Sequence, residues 1–354
     1  MRMAINGFGR IGRQAYKIAR EKGIEVVAVN DLTRADELAH LLKYDTVYGK
    51  YDKQISVEMA GQTFDAESEK GLDVSKEEIA AHESFIIVDG HRTKVLAVKD
   101  PSTLPWAEMN IDVVLECTGI FTKDKAAEAH MTAGAKKVII SAPSKGAEAA
   151  PTYLVGVNLG EYKGEGVISN GSCTTNCVSP ITRVLNQKFG ILKAGMTTIH
   201  SVTADQVLVD GLHDDYRRGR SAMMNIVPTT TGAAISTTEA IPQLKGKFDG
   251  MAIRVPTICG SITDFTFLVS RAVTVEEINQ ALVEASQTDE YRGIIEISTG
   301  PIVSSDIIGK TASAIVDLPL TKVIDGDLVK VLAWYDNEWG YSNRLLEIAM
   351  SVAN

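Results

Sequence analysis

The sequence of 354 residues lacks the features that mark several specialised classes of protein. Its four cysteines are too few for the disulfide framework of a small secreted domain. No apolar run approaches the ~20 residues that a membrane helix needs. The first residues, MRMAING, do not form the apolar core of a signal peptide. We therefore expect a cytoplasmic protein whose cysteines remain thiols.

Basic residues are also in deficit. The 36 lysines and arginines against 45 aspartates and glutamates give a net charge of −9 and a pI near 5.3. This balance argues against a generally basic surface, so we expect no nucleic-acid partner and no membrane partner. An anionic substrate would need local arginines. A hydrophobic fraction of 45% and an aromatic fraction of 6% are typical of a globular enzyme.

The length of the chain predicts two domains, because it exceeds the usual size of a single core. Up to about residue 170, short apolar runs alternate with helical patterns, which indicates a doubly wound parallel sheet of the Rossmann type. TYLVGVN is expected as one of its strands. Later segments such as GMTTIHSVT and LVKVLAWYD alternate over longer stretches and predict an α+β catalytic domain with a mostly antiparallel sheet.

We place the domain boundaries at the change in pattern. Residues 1–172 and 337–354 are assigned to the Rossmann-type domain and residues 173–336 to the catalytic domain. A closing helix, YSNRLLEIAMSVAN, has enough apolar residues to pack back on the first domain. An acidic segment, residues 58–84, is expected as a solvated surface insertion. Within it, SKEEIAA carries a capping-box signal and predicts one short helix.

Three glycines follow the first predicted strand in NGFGRIGR, residues 6–13. The spacing of Gly7, Gly9 and Gly12 is weak by itself, since a tight structural turn would also use it. Here it lies between a strand and a helix, and Asp31 follows the next strand. This context predicts a dinucleotide site whose pyrophosphate approaches the backbone at Gly9. Asp31 would bind the ribose hydroxyls and repel a 2′-phosphate, so NAD is favoured over NADP.

A cysteine stands where a second notable helix is predicted to begin, in SNGSCTTNCVSPITRVL. Ser172 is a suitable N-cap, and the positive field of the helix N-terminus favours the thiolate of Cys173. Pro180 leaves open whether the helix is continuous or a second piece starts after Ser179. His200 ends the predicted strand GMTTIH, where it could serve Cys173 as a base. Pattern alone leaves a structural role for His200 equally open.

The other cysteines carry weaker signals. Cys177 is four residues beyond Cys173 on the same helical face, which raises a resolving or metal-ligand role. No second C-x-x-C and no histidine cluster follows, so no metal site is predicted. Cys117, within an apolar strand, and Cys259 are expected to be packing residues.

The motif SCTTNC and nine others resemble the phosphorylating glyceraldehyde-3-phosphate dehydrogenase family. The resemblance covers nearly the whole chain except the acidic segment. Its other motifs, in order, are INGFGRIGR, NDLT, LAHLLKYDTVYGKY, VLECTGIFT, KKVIISAPSK, TTIHSVTADQ, IVPTTTGAA, RVPT and YDNEWGYSNR. It implies an N-terminal NAD domain and a catalytic domain with a mostly antiparallel sheet. It also implies a homotetramer in which the loop of residues about 202–225 reaches a neighbouring NAD site.

The resemblance further implies oxidation of D-glyceraldehyde 3-phosphate by NAD with uptake of inorganic phosphate. Cys173 corresponds to the nucleophile and His200 to its base. The thiolate would form a hemithioacetal, which loses hydride to become a thioester. Phosphate would then release the acyl group as 1,3-bisphosphoglycerate. The backbone N–H of Cys173 is a suitable oxyanion donor beside a helix N-terminus.

Two anion sites follow from the same correspondence. The substrate phosphate matches Thr203 and Arg254, and Arg254 interrupts an apolar stretch where a charge needs a partner. The inorganic phosphate matches a second set that includes one arginine of DDYRRGR, for which we prefer Arg217 to Arg218. The other members of that set are Ser172, Thr174, Thr231 and Gly232.

The correspondence also gives a set of NAD-binding residues. Lys99 stands where the family often has an arginine, so stacking on adenine is expected to weaken. Leu212 replaces a usual proline in the loop that faces NAD, and an apolar residue there still disfavours a 2′-phosphate. The complete set comprises Phe8, Gly9, Arg10, Ile11, Asp31, Lys99, Thr118, Gly119, Ser141, Asn337 and Tyr341.

Two alternative functions remain at this point. An erythrose-4-phosphate dehydrogenase of the same family hydrolyses its thioester more readily, but it tends to lose the threonine matching Thr203 and to alter PTTTGAA. Both features are intact here. A non-catalytic, NAD-binding regulatory protein would not need the complete set of chemical residues.

Overall fold

The computed structural model describes residues 1–68, 74–80 and 82–353. The chain divides into two compact units. The first comprises Met1–Pro151, Gly164–Ser169 and Leu345–Asn354, and the second comprises Thr152–Lys163 and Asn170–Arg344. The middle of the acidic segment, residues 69–73, and its residue 81 lie outside the described residues.

Most strands of the first unit belong to one nine-stranded sheet. In chain order its strands are β1 (Arg2–Asn6), β2 (Glu25–Asn30), β5 (Ile55–Met59), β6 (Gln62–Asp65), β7 (Ser84–Val88), β8 (His91–Leu96), β9 (Val113–Glu116), β10 (Lys137–Ile140) and β11 (Val167–Ser169). A separate two-stranded ribbon consists of β3 (Tyr44–Asp45) and β4 (Gly49–Lys50). The order across the sheet is β11-β10-β9-β1-β2-β8-β7-β5-β6.

The strands from β11 to β8 pair in parallel, which confirms the predicted Rossmann-type sheet. Strands β7, β5 and β6 extend it in antiparallel pairing. Residues 58–59, 62–65 and Ser84 of the acidic segment therefore belong to strands of the sheet. The reason lies in the alternation of β5, which buries Val57 and Met59 while its polar residues face outward.

Four helices of the first unit are α1 (Arg10–Glu21), α2 (Ala35–Lys43), α3 (Lys76–Ala80) and α4 (Ala129–Thr132). α3 is the short helix predicted within the acidic segment. Its capping box is formed, because the N–H of Glu78 donates to Ser75 Oγ at 3.2 Å and the N–H of Ser75 donates to Glu78 Oε2 at 2.8 Å. A buried apolar cluster that includes Trp106, Ile111 and Val114 forms a core of this unit.

The second unit contains an eight-stranded sheet. Its strands are β12 (Ile191–His200), β13 (Val227–Thr229), β14 (Phe248–Arg254), β15 (Ser261–Val269), β16 (Ile295–Ser298), β17 (Ala314–Asp317), β18 (Lys322–Ile324) and β19 (Leu328–Tyr335). Five of the seven pairings are antiparallel; β12 with β14 and β16 with β17 are parallel. The mostly antiparallel sheet expected from the sequence is confirmed.

The helices of the second unit are α5 (Cys173–Phe189), α6 (Ala233–Ala240) and α7 (Val275–Gln287), and α8 (Trp339–Val352) contributes residues to both units. α5 is continuous through Pro180, which resolves the alternative left open by the sequence. Its apolar side packs into a core that includes Ile181, Leu185, Phe265 and Phe267.

The prediction that TYLVGVN forms a strand is wrong. These residues, 152–158, form an isolated bridge followed by a turn. Gly156 adopts φ +74°, and the Asn158 side chain accepts a hydrogen bond from the N–H of Leu154 at 2.8 Å and donates to the carbonyl of Thr152 at 2.8 Å. These local bonds satisfy backbone groups that a strand would have paired with a neighbour.

Six short 3-10 helices complete the described structure: Pro101–Thr103, Ala126–Glu128, Leu159–Glu161, Pro242–Leu244, Ser304–Ile307 and Leu318–Leu320. None of the helices formed by the described residues combines the length and apolar character needed to cross a membrane.

Candidate active site

The glycine turn between β1 and α1 leaves room for a ligand at one of its three glycines. Gly7 has φ +90°, and a Cβ there would lie 2.7 Å from the backbone nitrogen of Thr118. A Cβ on Gly12 would lie 2.1 Å from the Gly7 carbonyl oxygen, whereas a Cβ on Gly9 would meet nothing within 4 Å. Gly7 and Gly12 therefore serve the fold, and Gly9 keeps space open at the N-terminus of α1, where helices bind phosphate.

Asp31 follows β2 and is fixed by two backbone groups. Its Oδ2 accepts from the N–H of Phe8 at 2.8 Å, and its Oδ1 accepts from the N–H of Thr33 at 3.1 Å. A carboxylate offers about four acceptor positions, so both oxygens retain capacity for hydroxyl groups. The bond from Phe8 also ties the glycine turn to the end of β2, which sets the predicted phosphate and ribose contacts side by side.

A cleft of about 780 Å³ lies over this turn. Two of its apolar residues, Leu32 and Ile120, are 66% and 73% exposed. Both side chains can therefore pack against an apolar ring of a bound ligand. The lining consists of Asn6, Gly7, Gly9, Asn30, Asp31, Leu32, Val98, Lys99, Asp100, Pro101, Cys117, Thr118, Ile120 and Phe121. The residues fit a dinucleotide: an open helix N-terminus, an acceptor for ribose and apolar walls.

Four of the predicted NAD residues line this cleft, namely Gly9, Asp31, Lys99 and Thr118. Phe8 is buried, and its ring contacts Tyr16 edge-on, so its backbone alone faces the turn. The Arg10 guanidinium pairs with the buried Asp45 at 2.7 Å. Ile11 continues the first turn of α1. Gly119 is exposed with φ +73°, and the backbone N–H of Ser141 donates to the carbonyl of Glu116.

Glu116, at the end of β9, is a buried carboxylate that the sequence did not single out. It accepts from Asn6 Nδ2 at 2.6 Å, from the N–H of Thr118 at 2.8 Å, and from the Thr118 hydroxyl. His130 Nε2 lies 2.9 Å away, while Trp106 Nε1 donates to His130 Nδ1 at 3.0 Å. Since the indole can only donate, His130 carries its proton on Nε2 and donates to Glu116. This group, the Glu116 network, holds the cleft residues Asn6 and Thr118.

Asn337 and Tyr341 belong to the second unit. Asn337 Oδ1 accepts from Ser201 Oγ at 3.0 Å, from the N–H of Gly260 at 3.0 Å and from Ser261 Oγ at 3.1 Å. The Tyr341 hydroxyl donates to the carbonyl of Gly171 at 3.0 Å. Both side chains thus support the backbone beside His200 and Cys173, and their expected contacts with NAD stay predictions.

Cys173 is the first residue of α5, as predicted. Ser172 caps the helix: its Oγ accepts from the N–H of Thr175 at 3.0 Å, and the Thr175 hydroxyl accepts from the N–H of Ser172 at 3.1 Å. The backbone N–H groups of residues 173 and 174 in this capped turn lower the pKa of the Cys173 thiol. Such donors stabilise a thiolate.

His200, the last residue of β12, lies beside this sulfur. The distance from Cys173 Sγ to His200 Nε2 is 3.4 Å. On the other side of the ring, Nδ1 lies 2.7 Å from the carbonyl oxygen of Ser201, which can accept its proton. The tautomer with its proton on Nδ1, donated to this carbonyl, leaves Nε2 as the acceptor that faces the thiol, whereas Arg254 Nη1, a donor 2.8 Å from Nδ1, favours the other tautomer. The structure therefore brings together the two residues whose pairing the sequence left open.

Burial and charge act on this pair in opposite directions. Burial raises the pKa of the Cys173 thiol, although the Arg254 charge and the N–H donors of α5 lower it. Burial, together with the Arg254 charge, lowers the pKa of His200 to about 3. Each charge is thus unfavourable when it forms alone. Burial also raises the pKa of Cys117 to about 12 and raises that of Cys177, which disfavours the thiolate of both.

Arg254, at the end of β14, reaches the same pair. Its Nη1 lies 2.8 Å from His200 Nδ1 and donates to the Ser201 carbonyl at 3.2 Å. Its Nε is buried and has no hydrogen-bond partner among the described residues. A buried guanidinium with an unused donor is suited to bind an anion.

Arg218 lies in a second cluster of polar side chains, between the carboxylates of Asp205 and Asp215, the latter 3.5 Å from its Nε. Its Nε donates to Thr229 Oγ1 at 2.9 Å, its Nη1 donates to Asp205 Oδ2 at 2.8 Å, and its Nη2 lies 3.4 Å from the carbonyl of Thr230. Asp205 also accepts from the Thr203 hydroxyl. The predicted residues Thr203 and Arg218 are therefore linked through Asp205, which the sequence analysis did not single out.

The preference for Arg217 over Arg218 does not agree with this arrangement. Arg217 is exposed, and its backbone N–H donates to Asp215 Oδ1 at 2.9 Å. In the same turn the Arg218 side chain points inward to Thr229 and Thr230. The side chains of two adjacent residues in a turn project in different directions. Because both residues are arginines, the sequence does not show which of them points inward.

The remaining predicted phosphate residues sit at helix N-termini. The Thr174 hydroxyl bonds Tyr335 Oη at 2.9 Å, and Tyr335 also bonds Thr198 Oγ1 at 2.7 Å. Thr231 and Gly232 precede α6, where Thr231 Oγ1 accepts from the N–H of Ala233 at 3.2 Å. α5 and α6 are joined by a hydrogen bond between Ser179 and Thr237 at 3.0 Å. A cleft suited to a dinucleotide in the first unit, and a thiol–imidazole pair beside the unused Nε donor of Arg254 in the second, are features expected of a dehydrogenase that uses a cysteine.

Comparison with known proteins agrees with this class. The family model described as glyceraldehyde 3-phosphate dehydrogenase, NAD binding domain, matches residues 1–70 and 62–124, and the model of the C-terminal domain matches residues 172–337. A glyceraldehyde-3-phosphate dehydrogenase of Streptomyces coelicolor is 47% identical over 100% of this chain and 99% of its own. The chromosomal enzyme of Cupriavidus necator is 46% identical over 100% and 99%, and that of Geobacillus stearothermophilus 46% over 100% and 98%.

The chain belongs to the glyceraldehyde-3-phosphate dehydrogenase family. It is an NAD-dependent oxidoreductase, and its cofactor is NAD. The N-terminal match is divided into two ranges that overlap at residues 62–70, within the acidic segment.

Substitutions of the glycines in the turn should distinguish an effect on NAD binding from an effect on folding. We expect Gly9→Ala to keep the thermal stability of the wild type but to weaken NAD binding, because its methyl group projects into open space at the helix N-terminus. Gly12→Ala should lower the free energy of unfolding by about 1–3 kcal/mol through overpacking. Thermal unfolding and calorimetric NAD titration check both. Unchanged NAD affinity in a folded Gly9→Ala variant would contradict the assignment of this turn.

Asp31 should determine the choice of cofactor. Because its carboxylate lines the cleft beside the glycine turn, where we predict the ribose to bind, we expect a large preference for NAD over NADP in kcat/KM. Replacement by alanine should narrow that preference, since a like charge no longer faces a 2′-phosphate. Asp52→Ala, in the same unit but outside the cleft, serves as the control. Comparable kcat/KM values of the wild type for the two cofactors would refute the role of Asp31.

Proposed function

We propose that the chain oxidises D-glyceraldehyde 3-phosphate to 1,3-bisphosphoglycerate with NAD and inorganic phosphate. One observation carries the proposal above others: the 3.4 Å approach of His200 Nε2 to the Cys173 sulfur at the capped N-terminus of α5. A nucleophile and a base at this distance are what covalent catalysis at a carbonyl requires.

The chain's residues have distinct roles in this reaction. Cys173 gives its proton to His200 Nε2, and its sulfur bonds to the aldehyde carbon. The oxygen of the resulting hemithioacetal lies near the N–H donors of α5, which stabilise its negative charge. His200 first returns its proton to this oxygen, which gives the hemithioacetal hydroxyl, and then takes the hydroxyl proton back as the carbon is oxidised, which leaves a thioester. NAD, when bound, accepts the hydride. Inorganic phosphate then attacks the thioester and restores the Cys173 thiolate.

Two anion subsites are proposed from the cationic groups of the second unit. Arg254, with its unused buried Nε donor, and Thr203 form the subsite for the substrate phosphate. Arg218, in place of Arg217, forms the subsite for inorganic phosphate with the N-terminal groups of α5 and α6. The members contributed by those helices are Ser172, Thr174, Thr231 and Gly232. The guanidinium of Arg218 lies against Thr229 and the Thr230 carbonyl, directly before Thr231.

The NAD-binding roles of individual residues belong to the same proposal. Gly9, Asp31, Lys99 and Thr118 would contact the cofactor from the cleft that they line, and the backbone of Phe8, Arg10 and Ile11 would bind its phosphates. We retain Gly119, Ser141, Asn337 and Tyr341 for the nicotinamide end. By function, residues 1–172 with 337–354 would form the cofactor domain and residues 173–336 the catalytic domain, although residues 152–163, 170–172 and 337–344 lie in the second compact unit.

A homotetramer is proposed as the working assembly. The loop from residue 207 to 226 exposes an unusual number of large apolar side chains, which a protein normally covers. The most exposed are Leu208, Val209, Leu212, Tyr216, Met224 and Ile226, each at 70% or more. Subunit contacts would remove these side chains from water. The cytoplasm, a reducing compartment, would keep Cys173 as a thiol.

Phosphate dependence tests the reaction class. With glyceraldehyde 3-phosphate and NAD, we expect NADH formation to be strongly stimulated by inorganic phosphate or arsenate, because either anion releases the thioester. Sulfate at the same ionic strength provides the control, since it cannot form the acyl product. Turnover that is indifferent to both phosphate and arsenate would refute the proposal and favour a hydrolytic enzyme such as an erythrose-4-phosphate dehydrogenase.

Two substitutions test the thiol–imidazole pair. Cys173→Ser should fold and bind NAD but be nearly inactive. His200→Asn should lower kcat by about 10²–10⁴-fold, the usual contribution of a general base, and should also slow alkylation of Cys173 by iodoacetamide. His40→Asn, an exposed histidine of the first unit, provides the matched control. Equal alkylation rates of the wild type and His200→Asn would count against activation by imidazole.

A further inference from the structure

Asp205 places a negative charge among the groups proposed to bind phosphate. Its Oδ1 accepts from the Thr203 hydroxyl, and its Oδ2 accepts from Arg218 Nη1 at 2.8 Å. Thr203 belongs to the proposed subsite for the substrate phosphate, whereas Arg218 belongs to that for inorganic phosphate. A single carboxylate therefore occupies one hydrogen-bond donor of each subsite.

We propose that Asp205 is an internal competitor of phosphate: it occupies Thr203 and Arg218 in the ligand-free enzyme and leaves them when phosphate binds. The inference rests on the proposed function, because it concerns the same two subsites. It adds a residue that sets the affinity of the enzyme for phosphate anions without contacting the reacting carbon.

Neither Thr203 nor Arg218 needs Asp205 to hold its position. Arg218 keeps its bond to Thr229 Oγ1 at 2.9 Å and its contact with the Thr230 carbonyl. The N–H of Thr203 donates to Gln206 Oε1 at 3.2 Å, and the N–H of Gln206 donates to the Thr203 carbonyl at 3.0 Å. Removal of the Asp205 charge should therefore free donors rather than displace the residues that carry them.

The charges favour exchange of one anion for another. Asp205 interacts electrostatically with both Arg218 and Arg254. Burial raises the pKa of Asp205, but the Thr203 hydrogen bond and the two guanidinium groups lower it by more. The net pKa lies below its usual value, so the carboxylate is charged at neutral pH. An arriving phosphate dianion would attract both arginines and repel this carboxylate.

Departure of Asp205 is also sterically simple. Its side chain is 45% exposed, so a rotamer change brings the carboxylate into water without opening a buried region. Such changes in exposed side chains take picoseconds to nanoseconds. Competition by Asp205 would weaken phosphate binding without slowing phosphate association. This suits an enzyme that must release a phosphorylated product in each cycle.

Asp205→Asn tests the proposal, since it removes the charge and preserves the shape of the side chain. Calorimetric titration of the free, full-length enzyme with inorganic phosphate should show about a fivefold or larger gain in affinity, in the range expected for one screened charge pair. The KM for phosphate should fall in steady-state assays, while the KM for NAD stays unchanged. Asp205→Ala should change phosphate affinity in the same direction, which separates the effect of charge from that of the new amide.

Asp210→Asn provides the matched control. Asp210 lies in the same loop and pairs with Arg220 at the same distance, 2.8 Å, but outside the two subsites. We expect its phosphate affinity to equal that of the wild type. An equal gain in Asp210→Asn would show a general effect of net charge and overturn the proposal.

Phosphate affinity that is unchanged or weaker in folded Asp205→Asn and Asp205→Ala would also overturn it, and a weaker affinity would make Asp205 a support for Arg218. This failure is distinct from failure of the proposed function. The binding measurement needs no turnover, whereas the proposed function is tested by the phosphate dependence of the wild-type reaction.

Discussion

The proposed chemistry depends on one local constraint, the capped start of α5. Ser172 and Thr175 satisfy each other's backbone groups, and this reciprocal cap fixes Cys173 in the first turn of the helix. From there its sulfur meets both the N–H donors of the turn and the imidazole at the end of β12. Burial opposes a charge on either group, so the pair gains its reactivity from contact rather than from two independent titrations. A small shift of this turn would remove the contact between the Cys173 sulfur and His200, and the buried thiol would then be unreactive.

Some of the groups around the Cys173–His200 pair hold it in position, and others supply charge. Ser201 holds the far side of the His200 ring through its carbonyl, and Asn337 anchors Ser201 through its hydroxyl. Arg254 brings positive charge to the same place and keeps one buried donor unused in the described structure. The carboxylate of Asp205 offsets part of the positive charge. The site is thus nearly balanced before any anion enters it, and the balance can be shifted by a ligand of higher charge.

The sequence predicted the parts of the molecule in which local chemistry and long-range structure agree. The glycine turn, Asp31 after β2, Ser172 as a cap and the alternation of the second sheet each have a pattern that only one arrangement satisfies. TYLVGVN was predicted wrongly because its apolar composition suits a strand, whereas Gly156 and the Asn158 side chain close a turn. The ends of the acidic segment joined the sheet because two alternating apolar residues outweighed the polar composition around them.

The residues that sequence reasoning missed act through geometry. Glu116 reads as the last residue of an apolar strand, and nothing in its neighbours indicates that distant side chains will bond to its carboxylate. Asp205 reads as an ordinary loop aspartate, although it lies two residues after Thr203 within the motif TTIHSVTADQ. Arg217 and Arg218 are indistinguishable by type, and only the path of the turn separates them. A charge flanked by apolar residues, as at Glu116 and Arg254, is the one signal that could have drawn attention to such positions.

The Glu116 network has a consequence for how the cofactor cleft assembles. Its members come from β1, β9, the loop after β9, α4 and the segment before β9, which lie up to 124 positions apart along the chain. A carboxylate without its donors would be costly to bury, so no subset of these segments gains much by docking alone. The floor of the cleft should consequently form cooperatively, only when all of these segments are in place.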